Sequence, residues 1–571
     1  MRPIERLADF LAIFYDRHTG RLRRLGLLLL CLVVIALLLP LLLFPLGPDN
    51  ALFFLSGQMI VEEGAIHYVD IVDVKPPAIY YLNALAVGLF GPEAWSMRLL
   101  DVVLQLAALT GLFVLLRRIT GRDLEGVIAV VLWPLCYLGL NNANTTQTES
   151  FLLLLLVPAM LLFFYRRTAG GYAFVGLLCG IAALLKFTFA IVIVPFLLAD
   201  LLLYREPLKN RLLLWGALVG GAMTAGVLLV TYLSIFDAWS GFNEMRQWTA
   251  GYTGMQFESI GTFLRETVKK VPTHLADEYS LVMLFATLVA LGRGWVGRRA
   301  GFQERTDRTG PLLFLAGLLF LALLSSVALE GKWVHYHVSR LFAPGVILAA
   351  FGIPMLVAGF RRIENRGIRV GVAGLALLLV IAFSPLSRYI FHVRPALLLA
   401  TSGSSAFDDY YAHAHTEESW RLEEIHDLGD KLGEAIGEED EIFISSGVGA
   451  LLYLRIGALP PTPIFHSGFL IGDHAPSVWI DRTKRYLLEH PPRFLLIHRT
   501  ARMRLITGND RTSLETIGSW PRVRAKIIAD YQPVEMTNSF LLLERADQLE
   551  KSTFARIDSI DVTTMLRPQV Q

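Results

Sequence analysis

Cysteine and charge are both scarce in this 571-residue sequence. The three cysteines, Cys31, Cys136 and Cys179, each sit inside an apolar run, and the polar last third has none. That excludes a disulfide framework and a cysteine-ligated metal cluster. Only 18% of residues are charged, against about 25% in soluble globular chains. Neither sign prevails: 52 Lys and Arg face 50 Asp and Glu, leaving a formal +2. Without a basic field there is no electrostatic footprint for a nucleic-acid partner. Repeats and low-complexity tracts are also missing. What is abundant is apolar: 54% of residues, gathered into long blocks. The sequence reads as an α-helical polytopic membrane protein with a polar appendage.

A hydrocarbon core of roughly 30 Å takes about 20 apolar residues per helix. Runs that answer this are Leu25–Leu46, Met97–Leu116, Leu124–Leu140, Phe151–Tyr165, Tyr172–Leu185, Phe187–Tyr204, Leu212–Ile235, Tyr279–Leu291, Pro311–Leu329, Leu341–Phe360 and Val370–Leu386. They predict about 11 transmembrane helices. The first run is long enough to span and no small-residue cleavage site follows it, so a removed signal peptide is not expected. Arginines crowd before the first run (Arg17, Arg21, Arg23, Arg24) and in alternate loops (Arg117/Arg118/Arg122, Arg166/Arg167, Arg205/Lys209/Arg211, Arg293/Arg298/Arg299, Arg361/Arg362/Arg366/Arg369). By the positive-inside rule the N-terminus is cytoplasmic, in a cell (inner) membrane, and everything after Leu386 is extracytoplasmic. Tyr172–Tyr204 tests this count. Were it one tilted span, two basic loops would fall on opposite faces, so two crossings are expected.

Residues 1–386 therefore form the transmembrane domain and residues 387–571 an extracytoplasmic α/β domain. Ser419–Ile436 reads as an amphipathic helix, Glu441–Ser445 and Arg493–Ile497 as buried strands, Ser539–Glu544 as a late strand. Pro460–Pro463 reads as a loop, and a frayed tail is expected beyond Arg545.

Ionisable groups at membrane depth are costly, about 2.5–3.5 kcal/mol for a central Arg, Lys or Asp on insertion scales. Here they share one face. Asp49 and Asn50 end the first run; Asp70, Asp73 and Lys75 follow in the same loop. Asn141, Asn142, Asn144 and Glu149 occupy the next outer loop, Lys186 the third, and Glu330, Lys332, His335, Tyr336, His337 and Arg340 the fifth. A site built there meets a lipid headgroup and a water-borne partner together. The sharpest string runs from Tyr68 to Tyr81, with Asp70, Asp73 and Lys75 ahead of Pro76-Pro77. The prolines fix the turn and hold Lys75 extended. Ala78–Phe90 is too short to span and suits an interfacial helix. Trp239, Trp248, Trp295 and Trp333 suit an aromatic belt.

Tyr-x-Asp-x-x-Asp-x-Lys-Pro-Pro after an Asp at the end of the first span resembles the first outer loop of the GT-C glycosyltransferases. The likeness is to the protein O-mannosyltransferase and lipid A aminoarabinose transferase type, including a bacterial branch with rhizobial lipopolysaccharide galacturonosyltransferases. His335–Pro344, the Asn-rich stretch ending at Glu149 and the step at Lys186 are similar too, so the likeness covers about the first 390 residues. It implies a GT-C-like fold and transfer of a sugar from a polyprenyl-phosphate-linked donor to a lipid, glycan or protein acceptor outside the cytoplasm. Carried over by position, Asp49 is the catalytic carboxylate and Lys75 the cation at the donor phosphate. Where many relatives have Asp-Glu, this chain has Asp49-Asn50, which leaves the second residue without an assigned role.

A single carboxylate that takes the acceptor's proton implies inversion at the anomeric carbon. Candidate substrate-binding groups are Asp70, Asp73, Lys75, Glu149, Lys186, His335, Tyr336, His337 and Arg340. Asp70, Asp73 and His335 have the chemistry to ligate a divalent metal ion, though no tight spacing supports it. Plainer readings stay open at each position. Asp49 suits a helix N-cap, Asp70 and Asp73 suit turns, Lys75 and Lys186 suit snorkelling, Glu149 suits a cap, and His335, His337 and Arg340 suit lipid phosphates. The rival function is a transporter or flippase of lipid-linked sugars, for which related halves and a midplane site would be expected. A third is a non-catalytic anchor that presents the C-terminal domain.

Overall fold

A computed structural model of the chain describes residues 20–256, 259–277, 279–299, 308–402, 421–437 and 439–567; Arg17 and the side chain of Trp295 lie outside that set. Each apolar run is helical. Among the described residues six helices are long and apolar enough to cross a membrane: Arg23–Leu43, Trp95–Thr120, Thr148–Tyr165, Leu208–Ile235, Thr309–Glu330 and His335–Arg361. Leu124–Leu138, Ala169–Leu185 and Phe187–Leu203 are shorter apolar helices beside them. Ile260–Asp277 and Leu281–Arg293 form a pair bent by 107°, and Arg366–Phe383 closes the series. The chain is a multi-pass helical membrane protein.

Packing shows why these helices associate without a hydrophobic drive between them. On Leu208–Ile235, Val219, Met223, Val227 and Val230 are exposed while Leu218, Gly221 and Ala225 are buried. The buried face lies on Ala169–Leu185 at backbone distance. A Cβ on Gly176 would come within 1.8 Å of the Leu218 carbonyl, and one on Gly221 within 1.8 Å of the Ala173 carbonyl. Small residues permit that approach, and close van der Waals contact follows.

The Tyr172–Tyr204 run turns back at Lys186, where helix Ala169–Leu185 ends and a 3-10 turn, Phe187–Val192, begins. Arg167 reaches Asp200 at 2.9 Å and Glu206 at 3.3 Å, while Arg211 lies 3.7 Å from Asp200. Both basic loops therefore share one end of the bundle. Arg23 and Arg117 likewise pair with Asp123, at 2.8 and 3.2 Å.

The C-terminal domain is built on a four-stranded sheet. β1 (Ile442–Ser445), β2 (Phe494–His498), β3 (Tyr531–Met536) and β4 (Phe540–Arg545) lie in the order β1-β2-β4-β3, with β1 and β2 parallel and the other pairs antiparallel. β1, β2, β4 and the amphipathic helix Leu422–Ala435 fall where the sequence put them. Helix Gly449–Ile456 packs on Pro48–Glu62, which seats the sheet on the membrane domain. Pro385–Ser402, beyond the boundary drawn at residue 386, still packs on Leu124–Leu138, and the Tyr389 hydroxyl donates to the Leu37 carbonyl at 3.0 Å.

Two expectations are corrected. Residues 546–567 are not frayed: Ile557 N–H bonds the Pro533 carbonyl at 2.9 Å, and Val562 and Leu566 are buried; residues 568–571 lie outside the described set. Trp248 and Trp333 are not belt residues at a lipid boundary. Trp248 is buried edge-on against Phe469 of the C-terminal domain, and Trp333 is buried on His274. Helices Trp239–Gln256 and Ile260–Asp277, which carry Trp248 and His274, occupy a stretch that the sequence left as loop. Val72, Trp248 and Tyr252 of the membrane half complete the apolar cluster around Phe469 and Trp479.

Candidate active site

Asp49 stands in the first turn of helix Pro48–Glu62, after a proline whose missing N–H costs nothing there. The next residue is a fastener. Asn50 Oδ1 accepts from Gly47 N–H at 3.2 Å, and its Nδ2 donates to the carbonyls of Thr145 and Thr146 at 2.9 and 3.3 Å. That answers the Asp49-Asn50 departure: the amide ties two loops together. Arg98, buried in Trp95–Thr120, ties them again. It donates to the carbonyls of Phe44, Pro45 and Asn142 and to the hydroxyls of Thr145 and Thr146. Nothing in the spacing of residues marked Arg98 out.

The Tyr68–Tyr81 string folds back on itself to present Lys75. The His67 ring is held 4.0 Å from both Tyr68 and Tyr80, and burial pushes its pKa down to about 3. Its neutral Nε2–H donates to the Lys75 carbonyl at 3.1 Å, and the Tyr68 hydroxyl donates to the same oxygen at 2.9 Å. The Lys75 backbone is thus held from two sides. Its Nζ lies 3.5 Å from Asp49 Oδ2 and 4.1 Å from the centre of the Phe53 ring. The Tyr336 hydroxyl donates to the same Asp49 oxygen at 3.0 Å.

The pair is open on one side only: 34% of the Asp49 side chain remains exposed, against 14% of Lys75. Burial works to raise the Asp49 pKa. The Lys75 cation, His466 and the Tyr336 hydrogen bond outweigh it and hold the carboxyl below its ordinary value. Asp49 is therefore ionised at neutral pH and able to accept a proton.

Behind it lies a closed network. Glu149 Oε1 takes Lys186 Nζ at 2.7 Å and Arg340 Nη2 at 2.8 Å. Glu330 takes Arg340 Nη1 at 2.8 Å, Lys186 at 2.9 Å and His337 Nε2 at 3.3 Å. Arg340 and Glu149 have no exposed side-chain surface. Lys186 touches both layers, since its Nζ is 5.7 Å from the centre of the Tyr336 ring.

The structure thus gathers Asp49, Lys75 and Tyr336 in one layer and Glu149, Lys186, His337 and Arg340 in the next. Asp70 joins neither: it is exposed, and its Oδ2 accepts from Ile66 N–H at 2.9 Å. Asp73 is buried and spent on the Tyr80 hydroxyl and Val74 N–H. His335 is exposed, its ring 6.3 Å from His274. Among the described residues no three His, Cys, Asp or Glu side chains group as metal ligands, so Asp70, Asp73 and His335 do not form the set that their chemistry suggested.

Residues 74–230 match a family described as dolichyl-phosphate-mannose-protein mannosyltransferase. The match takes in Lys75, Glu149 and Lys186 and leaves out Asp49 and the Glu330–Arg340 segment. No curated protein matches the chain. Among solved structures, ArnT from Cupriavidus metallidurans in the apo state is similar, with a TM-score of 0.54 at 12% identity over 91% of this chain and 98% of that one. The undecaprenyl-phosphate-bound form of ArnT gives 0.47 at 12% identity, over 91% and 97%. Arabinofuranosyltransferase AftD from Mycobacteria gives 0.43 at 13% identity, over 93% of this chain and 40% of that one. The likeness to apo ArnT shows the fold. The chain has the GT-C architecture that its first outer loop implied.

Proposed function

We propose that this membrane protein of GT-C fold is an inverting glycosyltransferase that moves a sugar from a polyprenyl-phosphate donor to an acceptor on the face bearing the C-terminal domain. One observation carries the reading. A partly exposed carboxylate held below its ordinary pKa (Asp49) and the Lys75 cation meet 3.5 Å apart where that domain sits on the bundle. The match of residues 74–230 to a family named for a polyprenyl-phosphate sugar supports it.

The acceptor hydroxyl gives its proton to Asp49 while its oxygen attacks the anomeric carbon. The bond from that carbon to the phosphate oxygen breaks on the opposite side, and its electron pair stays with the phosphate. Lys75 meets the charge that grows there, the kind of stabilisation that is usually the largest catalytic term. Lys75 Nζ lies 3.5 Å from Asp49. A phosphate that draws Nζ away frees the base in the same motion. Tyr336 keeps the carboxylate aimed. Arg340, wholly buried between two carboxylates, supports the site from behind and does not meet the phosphate. The basic clusters that share one end of the bundle support an N-terminus on the cytoplasmic side of an inner membrane.

Asp49→Asn keeps the shape and removes the base. In a deletion strain complemented with this variant, mass spectrometry of lipid-linked sugars and envelope glycans is expected to show donor accumulation and transfer reduced about 10²–10⁴-fold. Wild-type glycan levels from a normally folded variant would reject the enzyme reading and favour a flippase.

A further inference from the structure

One buried carboxylate plays no part in the chemistry above. Asp101 lies in the second turn of Trp95–Thr120, a helix long and apolar enough to cross a membrane, and has no exposed surface. An ionisable group so placed is costly and asks for a functional reason. The chain surrounds it with donors. Gln105 Nε2 donates to Asp101 Oδ1 at 2.9 Å, Thr146 Oγ1 donates to Oδ2 at 2.7 Å, and the Tyr137 hydroxyl donates to the same Oδ2. Trp133 Nε1 in turn holds Gln105 Oε1 at 2.9 Å.

The cluster converges on Thr146, which is buried. Its backbone is left-handed, with φ 57°, a conformation that is an outlier for a β-branched residue. Such strain persists only where the surroundings over-determine it, and here every polar group of the residue is engaged. The N–H donates to the Tyr137 hydroxyl at 2.7 Å. The hydroxyl accepts from Arg98 Nη1 at 2.5 Å while it donates to Asp101. The carbonyl accepts from Asn50 Nδ2 at 3.3 Å. Thr146 thereby stands between the two layers of the site. Asn50 directly follows Asp49, and Glu149 comes three residues after Thr146. Gly47 lets the two loops close on each other, since a Cβ there would come within 2.6 Å of Ala143.

We propose that Asp101 and Thr146 are positioning residues for Asp49: their hydrogen bonds hold loop 141–150 in its strained shape, and that loop, through the carbonyls that Asn50 grips, sets where the Asp49 carboxylate stands relative to Lys75 and Tyr336. This rests on the glycosyltransferase reading and adds to it groups that act through Asn50. Thr146 is the point at which the device can be released. A residue without the hydroxyl leaves Asp101 with Tyr137 and Gln105, and leaves Arg98 with four other acceptors, so no buried polar group is stranded. The bonds that offset the strain are gone, however. A backbone that relaxes there turns the Thr145 and Thr146 carbonyls away from Asn50.

The test uses full-length protein in nanodiscs. A lipid extract of the deletion strain, added to saturation, supplies donor and acceptor together, and undecaprenyl phosphate serves as the probe of the donor side. Thr146→Val keeps the branched shape and removes the hydroxyl. It is expected to lower the maximal rate per folded molecule at least tenfold, with undecaprenyl phosphate affinity within twofold of wild type. Burial raises the Asp49 pKa, and Lys75, His466, Tyr336 and Lys332 lower it. A carboxylate that drifts from Lys75 and Tyr336 titrates higher, so the acid limb of rate against pH moves upward in the same variant. Thr146→Ser, which restores the hydroxyl, recovers both. Asn50→Ala cuts the tie from the other end, leaves the Asp101 cluster whole, and is expected to show the same slow rate and raised acid limb. A purely structural role predicts a lower Tm with the rate per folded molecule and the acid limb unchanged. That result in Thr146→Val, or in Asn50→Ala should Thr146→Val not fold, would overturn the proposal, as would equal losses in Thr146→Ser and Thr146→Val. Asp49→Asn assayed alongside separates the levels: if it abolishes transfer while Thr146→Val and Asn50→Ala do not slow it, only the positioning role fails, whereas wild-type transfer in Asp49→Asn removes the reading beneath it.

Discussion

Two ionic layers lie one behind the other in this molecule, and they are made differently. The outer layer is a single 3.5 Å pair, Asp49 with Lys75, left partly open to what enters. The inner layer sets Glu149 and Glu330 against Lys186 and Arg340 at 2.7 to 2.9 Å, almost without exposed surface. A close, buried network is costly to disturb, because each charge depends on the others to offset its lost hydration. The outer pair is longer and its carboxylate keeps 34% of its surface, so Asp49 retains hydration when Lys75 leaves and the pair costs less to break. In the proposed mechanism the outer layer reacts, and the inner layer backs it through Lys186, whose Nζ lies 5.7 Å from the centre of the Tyr336 ring.

Arg340→Met attacks the inner layer and carries the largest expected effect on stability. It strands Glu149 and Glu330 with Lys186 as their remaining strong cation. Breaking a buried pair from one side costs about 3–5 kcal/mol, so thermal unfolding in detergent should fall by many degrees, with transfer lost as a consequence. An unchanged Tm would erase the distinction between the layers.

Lys75→Met makes the opposite cut. Stability should fall less than in Arg340→Met, because Asp49 keeps about a third of its side chain exposed, while donor use collapses. A pH signature accompanies it. Lys75 is the leading influence that lowers the Asp49 pKa; without it the carboxyl titrates higher, and the base becomes protonated sooner as pH falls. The acid limb of transfer against pH should move upward in the variant. A limb that stays put would show that Lys75 does not govern Asp49.

Much of this was legible in the sequence. Apolar runs fixed the helices because a bilayer leaves few other ways to satisfy a backbone, and one-sided charges pointed to the loops whose side chains the fold gathers. The Pro76-Pro77 pair and the loop motif singled out Lys75. What stayed hidden was long-range. Arg98 looks like one more basic residue near a helix start, and only the folded chain shows its five acceptors. His466 lies more than 400 residues from Asp49 in a domain with merely generic features. Helices Trp239–Gln256 and Ile260–Asp277 mix polar and apolar residues and so failed a test built for spans. Neither periodicity nor composition distinguishes Glu149 caught in a network from Glu149 as a cap.

Asp70 and Asp73 carry the comparison to its smallest scale. They lie three residues apart in one motif and looked interchangeable as ligands. Asp73 is buried and holds the Tyr80 hydroxyl, a bond that also braces His67 and through it the Lys75 carbonyl. Asp70 is exposed and accepts one backbone N–H within its own turn. A local side-chain-to-backbone bond of this kind contributes about 0.5–1.5 kcal/mol, with water ready to replace it. Asp70→Ala should therefore lower Tm by no more than a few degrees and leave transfer within twofold of wild type in the complemented strain. A tenfold loss of transfer from Asp70→Ala would place Asp70 with the outer layer after all and restore the metal-ligand role that its geometry denies it.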